Sequence, residues 1–353
     1  MAIAPLDIPK TAPQVLASFQ QTHINAEIEP SGAEHLTYRV AVPKSWPFAS
    51  SLGPTPTGSL ETRGLGFFAA ANLPTAGVIA VTATNVPYEI PIDAWARVVF
   101  AHEGYEILEG SWFPGPSGLF YDITGIRTVG EVLEVRRSAV RVQGNEVICL
   151  NCMCSREEWN HAKGVFWVAL VTFELTQAKP TRMEPWLRAA AESPSFELAH
   201  PASWVSEPVA TSPDGVSAVD VRLPGADDQL LGYLQVRAEW TKNRPSASLA
   251  QLDASAMVRL KNSGFAATEE AKLLTADDDP RAQSVPGWLG GFSAHGTIMG
   301  GDITTRRGFI ARDGVIYSFA MLSPRLANNP LVALRTLRVF EIARATLGAL
   351  STP

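Results

Sequence analysis

Tyr38-Arg-Val-Ala-Val-Pro-Lys-Ser-Trp46 and Phe196-Glu-Leu-Ala-His-Pro-Ala-Ser-Trp204 carry one motif twice, 158 positions apart, pairing Ala41 with Ala199, Pro43 with Pro201, Ser45 with Ser203 and Trp46 with Trp204. Three more matches follow in the same order. Asp93-Ala-Trp-Ala-Arg-Val-Val-Phe-Ala-His-Glu-Gly-Tyr105 pairs with Asp253-Ala-Ser-Ala-Met-Val-Arg-Leu-Lys-Asn-Ser-Gly-Phe265 at an offset of 160. Arg136-Arg137 and Gly144 pair with Arg306-Arg307 and Gly314 at 170, and Phe173-Glu174-Leu175 pairs with Phe340-Glu341-Ile342 at 167. Ordered matches whose offsets drift only as loop insertions allow imply a tandem duplication. The period is far too long for a solenoid repeat of roughly 20–50 residues, so the repeating object is a whole domain.

The expected organisation is an N-terminal arm at 1–31, a first module at 32–177, a linker at 178–193 and a second module at 194–350. The arm has a short helix expected near Pro13–Gln21, and prolines bound a second expected helix from Trp186 to Glu192 in the linker. A chain of 353 residues exceeds the size at which one core usually keeps growing. With 46% hydrophobic and 18% charged residues it can fill two cores.

The net charge of −6 comes with no basic run longer than Arg306-Arg307. Nucleic acid is therefore not an expected partner, nor is a membrane surface bound through basic helices. Met1-Ala-Ile-Ala-Pro-Leu6 lacks a basic start followed by an apolar run, so it is not read as a secretory signal, and Met1 reads as an initiating residue. No apolar stretch of about 20 residues predicts a membrane span. The cysteines Cys149, Cys152 and Cys154 are odd in number and clustered, unlike a secreted disulfide framework. The expected address is cytoplasmic.

Read together, the two copies define one module. It opens with an alternating strand, Leu36–Val42 or Phe196–Ala199, ended by the Pro-x-Ser-Trp corner. Strands near Gly66–Ala71 and Val78–Ala83 match Ser217–Leu223 and Tyr233–Glu239. A helix follows at Ile92–His102 or Leu249–Asn262, with Asp93 or Asp253 in its first turn and Gly104 or Gly264 stopping it. Three or four strands come next, and the last pair turns at Gln143-Gly144-Asn145 or Arg312-Asp313-Gly314. A final helix closes the module. In the second copy Leu331, Leu334, Leu337 and Ile342 form its apolar stripe, Arg335, Arg338 and Arg344 its expected solvated face, and Glu341 can pair with Arg338 or Arg344. This order predicts an α+β fold: two tandem α/β/α sandwich modules, each a mostly antiparallel sheet with helices packed on it.

Proline and tryptophan ending the first strand, a Gly-aromatic after the first helix and a Gly-centred hairpin before the last helix resemble the PsbP/DcrB-like superfamily. The resemblance covers both modules. It implies an α/β/α sandwich and a mostly non-enzymatic family that includes photosystem accessory proteins, a Ran-binding protein and the Eag chaperones that load type VI secretion effectors. Without a plastid transit sequence, the chain is closer in character to the bacterial secretion chaperones. No family binding residue maps onto a position of this chain.

Several clusters invite a chemical reading. Cys149-Leu-Asn-Cys152-Met-Cys154 with His161 suggests zinc, but strand alternation puts Cys149 on one face and Cys152 and Cys154 on the other, so one strand cannot converge all three on an ion. Gly287-Trp-Leu-Gly-Gly-Phe-Ser-Ala-His-Gly-Thr-Ile-Met-Gly-Gly301 lacks both the Gly-Lys-Ser/Thr end of a phosphate loop and a dinucleotide fingerprint, and bulged or closely packed strands explain its glycines better. Ser293 and His295 have no nucleophile elbow. His102-Glu103 lacks the second histidine of a metalloprotease. Asp277-Asp-Asp279 reads as a solvated loop. No catalytic residue, metal or cofactor is expected.

Aromatic residues remain. Trp46 and Trp204 recur in both copies and read as structural. Trp95, Trp112, Phe113 and Trp159 are unpaired between the copies and are the expected partner-binding residues. The expected function is a non-enzymatic protein-binding adaptor or chaperone, extending to a bacterial secretion client. The alternatives are a structural subunit of a larger complex, anchored by residues 1–31 and the linker, and an enzyme with a site between modules.

Overall fold

The computed structural model describes residues 5–10, 19–50, 55–57, 60–70, 77–177, 182–209, 212, 215–225, 230–243, 247–276, 278–279 and 281–348. The chain divides into two compact units, one of Met1–Pro87 with Ile92–Met183 and one of Tyr88–Pro91 with Glu184–Pro353.

Unit 1 runs α1 (Phe19–Thr22), β1 (His23–Ile28), β2 (Tyr38–Pro43), β3 (Phe48–Ala49), β4 (Thr55–Thr57), β5 (Leu60–Ala69), β6 (Val78–Asn85), α2 (Ile92–His102), β7 (Glu106–Gly115), β8 (Gly118–Val129), β9 (Val132–Gln143), β10 (Glu146–Ser155), α3 (Trp159–Thr172) and β11 (Glu174–Leu175). Its main sheet has the order β3-β5-β6-β10-β9-β8-β7, and a small sheet has the order β1-β2-β11. Adjacent residues of β9 show the layering, because neighbours on a strand point to opposite faces. Arg136 lies over Phe100 of α2, and Arg137 lies over Trp167 of α3. The core between the main sheet and α3 also takes Tyr38, Val40 and Val42 of β2. The unit is thus an antiparallel sheet with α2 on one face and α3 with the small sheet on the other.

Unit 2 runs β12 (Trp186–Ala191), β13 (Phe196–Pro201), β14 (Val205–Val209), β15 (Val216–Pro224), β16 (Leu230–Trp240), α4 (Leu249–Asn262), β17 (Ala266–Ala267), β18 (Lys272–Leu273), β19 (Trp288–Ile298), β20 (Gly301–Arg312), β21 (Val315–Pro324) and α5 (Pro330–Thr346). Its main sheet, β14-β15-β16-β21-β20-β19-β17, follows the same path as that of unit 1, and β12 pairs β13. Phe309 packs with Leu252 and Ala256 of α4, whereas Ile310 packs with Phe340 of α5, so helices again cover both faces. Both units are α+β, as the element order predicts.

The repeated motifs occupy matching places only in part. Trp46 N–H donates to Pro43 O at 3.0 Å and Trp204 N–H to Pro201 O at 3.0 Å. Ala41 N–H donates to Thr172 Oγ1 at the end of α3, and Ala199 N–H to Thr346 Oγ1 at the end of α5. Gly104 and Gly264 stop α2 and α4 at φ +81° and +92°, a left-handed conformation that costs glycine little. The other two matches are corrected. Gln143 pairs Glu146 and Arg312 pairs Val315 across two-residue turns. The turns therefore align Arg137 with Arg306, one position off the match by identity, and a one-residue slip sends a side chain to the other face. Phe340-Glu341-Ile342 lies inside α5, whereas Glu174-Leu175 lies in β11 beyond α3.

Three more expectations are overturned. Trp186–Ala191 is a strand, not a helix, because pairing with β13 overrides the helical propensity of its alanines. The arginines of α5 are not a solvated face: Arg344 is 2% exposed and Arg335 9% exposed. Arg344 forms a two-point ion pair with Asp279, and Arg338 reaches Glu89 at 3.1 Å and Glu341 at 3.0 Å. Asp279 is accordingly buried rather than part of a solvated loop, and Asp277 lies outside the described residues. The expected Pro13–Gln21 helix falls mostly outside them too, and Phe19–Thr22 forms a helical turn.

The glycines of Gly287–Gly301 have local reasons. Pairing shifts register between Trp288 and Gly290, marking a bulge. A Cβ on Gly291 would come within 2.6 Å of Arg307 O, and one on Gly296 within 2.3 Å of Ala266 O.

Candidate functional site

Unit 1 holds a segment of its own chain, Pro5–Lys10, in a seat on its α3 face. Burial alternates from Pro5 to Ile8, with Leu6 and Ile8 half-buried and Pro5 and Asp7 exposed; Pro9 is half-buried as well and Lys10 exposed. That period of two is the period of an extended chain. Leu6 and Ile8 pack against the core beneath α3.

Two side chains grip the segment's main chain. Trp159 Nε1–H donates to Asp7 O at 3.1 Å, and Arg137 Nη2–H donates to Pro9 O at 2.9 Å. Two ion pairs flank them, Lys163 Nζ to Asp7 Oδ2 at 2.5 Å and Lys10 Nζ to Glu109 Oε1 at 2.6 Å. Trp159, Lys163 and Trp167 recur every four residues along α3, the spacing of one helix face.

The Arg137 grip is rigidly held. Its Nε donates to Asp122 Oδ1 at 3.0 Å and its Nη2 to Asp122 Oδ2 at 2.6 Å. Its guanidinium lies 4.9 Å from the centre of the Trp167 ring, which Phe113 meets edge-on at 5.1 Å. With 1% exposure the arginine cannot relax into water, so it stays aimed at the segment. Its Nη1 is buried with no acceptor among the described residues.

The segment is held close to balance. The neutral Trp159 bond contributes about 0.5–1.5 kcal/mol and the charged Arg137 bond about 1.5–3, the exposed ion pairs about 0–1 each, and half-burial of Leu6 and Ile8 about 1 each. Ordering six backbone residues costs about 1–2 kcal/mol apiece, which is of the same size. The seat therefore binds its occupant without locking it.

The structure divides the four expected partner-binding residues. Trp95 and Trp159 are corrected as surface anchors, being 4% and 0% exposed. Trp95 belongs to the buried side of α2, but Trp159 gives its only polar atom to the segment. Trp112 and Phe113 are neighbours on β7 and so face opposite ways. Trp112 meets Tyr121 edge-on at 5.5 Å, and Phe113 supports Trp167 in the seat. The seat's other members, Arg137, Asp122 and Lys163, escape a reading by sequence. The signal was present in the alternation Val135-x-Arg137-x-Ala139, which puts an arginine on a core-facing row.

The other clusters are already engaged. Cys152 and Cys154 sit in the α3-side core, whereas Cys149 has Arg136 and Glu103 for its charged neighbours. Burial pushes the Cys149 and Cys154 thiols up to about 12 and raises Cys152 as well. His295 Nδ1 and Thr304 Oγ1 are bonded across strands at 3.0 Å. Glu103 pairs with Arg136. Among the described residues no group of three or more His, Cys, Asp or Glu side chains is placed to hold a metal. No helix among them is long and apolar enough to cross a membrane.

No family model matches the sequence, and no curated protein matches it. Among solved structures, the solution structure of cyanobacterial PsbP (CyanoP) from Synechocystis sp. PCC 6803 is similar at 12% identity, over 44% of this chain and 92% of that one, with a TM-score of 0.34. The apo T6SS immunity protein TplEi of Pseudomonas aeruginosa is similar at 11% identity, over 94% and 98% of the two chains, with a TM-score of 0.23. A chain of the Tle4-Tli4 complex is similar at 11% identity, over 92% and 99%, with a TM-score of 0.22. Scores below 0.5 do not establish a shared topology.

Proposed function

We propose that this chain is a non-enzymatic protein-binding adaptor or chaperone whose first unit takes a segment of a client polypeptide. One observation carries the reading: the seat on α3 grips main-chain carbonyls, which every polypeptide offers, and the chain's own residues 5–10 demonstrate the fit. The engaged state of the catalytic candidates points the same way. His295 is committed to Thr304, and the cysteine thiols are held protonated by burial. A client from a bacterial secretion system is the finer form of this proposal, in keeping with the PsbP/DcrB-like element order.

The test is site-specific photo-crosslinking in cells. A photoreactive residue replacing Asn160, exposed on α3 next to Trp159 and outside the seat's own contacts, should trap one protein of defined mass. The same residue at Val258 of unit 2, which is 56% exposed, should not. Failure to trap any protein from position 160, or an identical set of adducts from both positions, would count against a binding function located here.

A further inference from the structure

The seat also specifies what it reads. Its polar groups at the segment's backbone, Trp159 Nε1–H and Arg137 Nη2–H, are donors without acceptor capacity. They take carbonyls two residues apart, at Asp7 and Pro9, on the strand-like repeat that also turns Leu6 and Ile8 inward. Proline at the ninth position carries no N–H and has a φ already fixed near that of an extended chain. Lys163 adds a preference for a carboxylate between the two apolar residues.

Unit 2 uses the same grip differently. Arg306, aligned with Arg137 by the hairpin turns, donates from Nη1 to Asp278 O at 3.2 Å. Its carbonyl belongs to the connection between β18 and β19, which is pinned by the Arg344–Asp279 pair at 1% and 5% side-chain exposure. In unit 1 the ion pair of the segment with Lys163 leaves Asp7 77% exposed and so open to salt and exchange. One grip is filled by a segment whose ion pair is buried, the other by a segment whose ion pairs lie at the surface.

We infer that the unit 1 seat is a binding site for an extended peptide with apolar residues at alternate positions, an acidic residue between them and proline next, and that Pro5–Lys10 is its resident, exchangeable occupant. This rests on the protein-binding reading above and names its ligand class.

The experiment uses the full chain and a fluorescent peptide, Pro-Leu-Asp-Ile-Pro-Lys, capped at both ends. Binding is followed by anisotropy to the parent chain, to Leu6→Asp/Ile8→Asp and, as a variant that leaves the core untouched, to Asp7→Lys. Both variants should loosen the resident segment and bind the peptide at least about twofold more tightly than the parent, the gain expected when a seat about half filled by its own segment is emptied. Lys163→Glu added to Leu6→Asp/Ile8→Asp should weaken this peptide at least fivefold, and a peptide with lysine in place of its aspartate should regain the loss. Equal binding of a scrambled peptide, or no binding to either loosened variant, would overturn the inference. If crosslinking from position 160 still traps a partner in that case, the protein-binding reading stands and only the ligand class falls.

Discussion

Asp279→Asn should destabilise unit 2 by about 3–5 kcal/mol, the cost of leaving one member of a buried pair uncompensated. The substitution keeps the shape and removes the charge. Arg344, with 1% side-chain exposure, would keep its guanidinium in the core between Trp288 at 4.9 Å and Phe340 at 5.3 Å from the ring centres. Arg306 sharpens the penalty. It lies in the same cluster, its pKa already lowered by burial, with Asp279, Glu341 and Asp278 opposing that shift and Arg344 adding to it. Removing Asp279 takes away the first of those carboxylates and leaves two guanidinium groups less well balanced. For a unit of this size each kcal/mol moves the midpoint by about 2–4 °C, so a fall of about 6–20 °C is expected. Calorimetry is the assay, since two units can unfold in separate transitions and only one should move. Glu197→Gln is the control, because its partner Arg188 is 74% exposed and such a pair contributes less than about 1 kcal/mol. Asp279→Leu with Arg344→Met should recover most of the loss, because an apolar pair carries no desolvation cost. A shift for Asp279→Asn no larger than that of Glu197→Gln would mean that the Arg344–Asp279 pair does not hold unit 2 together.

Two further outcomes follow from burial. With thiol pKa values pushed up to about 12 at Cys149 and Cys154, and Cys152 raised too, native protein at pH 8 should react with a thiol reagent only through opening, and three equivalents should appear in denaturant; a fast stoichiometric reaction in the native state would contradict this. Burial lowers the pKa of His200 from 6.5, so the unfolded chain takes up the proton first: the stability is present above pH 6.5 and is lost as pH falls through it, and His200→Gln should flatten urea midpoints measured between pH 7.5 and 5.

The parts of the fold that were legible in sequence are those with local causes. The Pro43–Trp46 and Pro201–Trp204 corners close through the same backbone hydrogen bond, so they read alike in any context. The helices α2 and α4 end where their residues say, because Gly104 and Gly264 take the left-handed conformation there; α4 starts from a Ser248–Gln251 capping box, which puts Asp253 beyond the first turn expected for it. Illegible parts have distant causes. The α5 arginines read as solvated because a helix-face argument assumes water opposite the apolar stripe, whereas Asp279 reaches Arg344 from 65 residues away. Trp186–Ala191 reads as helix until β13 is beside it.

The arginine pairs show where the candidate site was hidden. Matching Arg136-Arg137 to Arg306-Arg307 by identity aligns Arg137 with Arg307, yet these face opposite layers. Arg307 points at Asp253 of α4, with Nε 2.6 Å from Oδ1, and Arg137 points at the α3 side. Only the hairpin turns set the true register, and they align Arg137 with Arg306. Under that alignment the two arginines share a task that their charge alone does not suggest: each donates to the main-chain carbonyl of an irregular segment, Pro9 in one unit and Asp278 in the other. A guanidinium buried in a sheet needs acceptors, and a segment without its own ladder has carbonyls to give. The pairing solves both needs at once. It also makes the segment part of the fold's hydrogen-bond accounting, so a departing segment would hand the arginine's donor to water or to another acceptor.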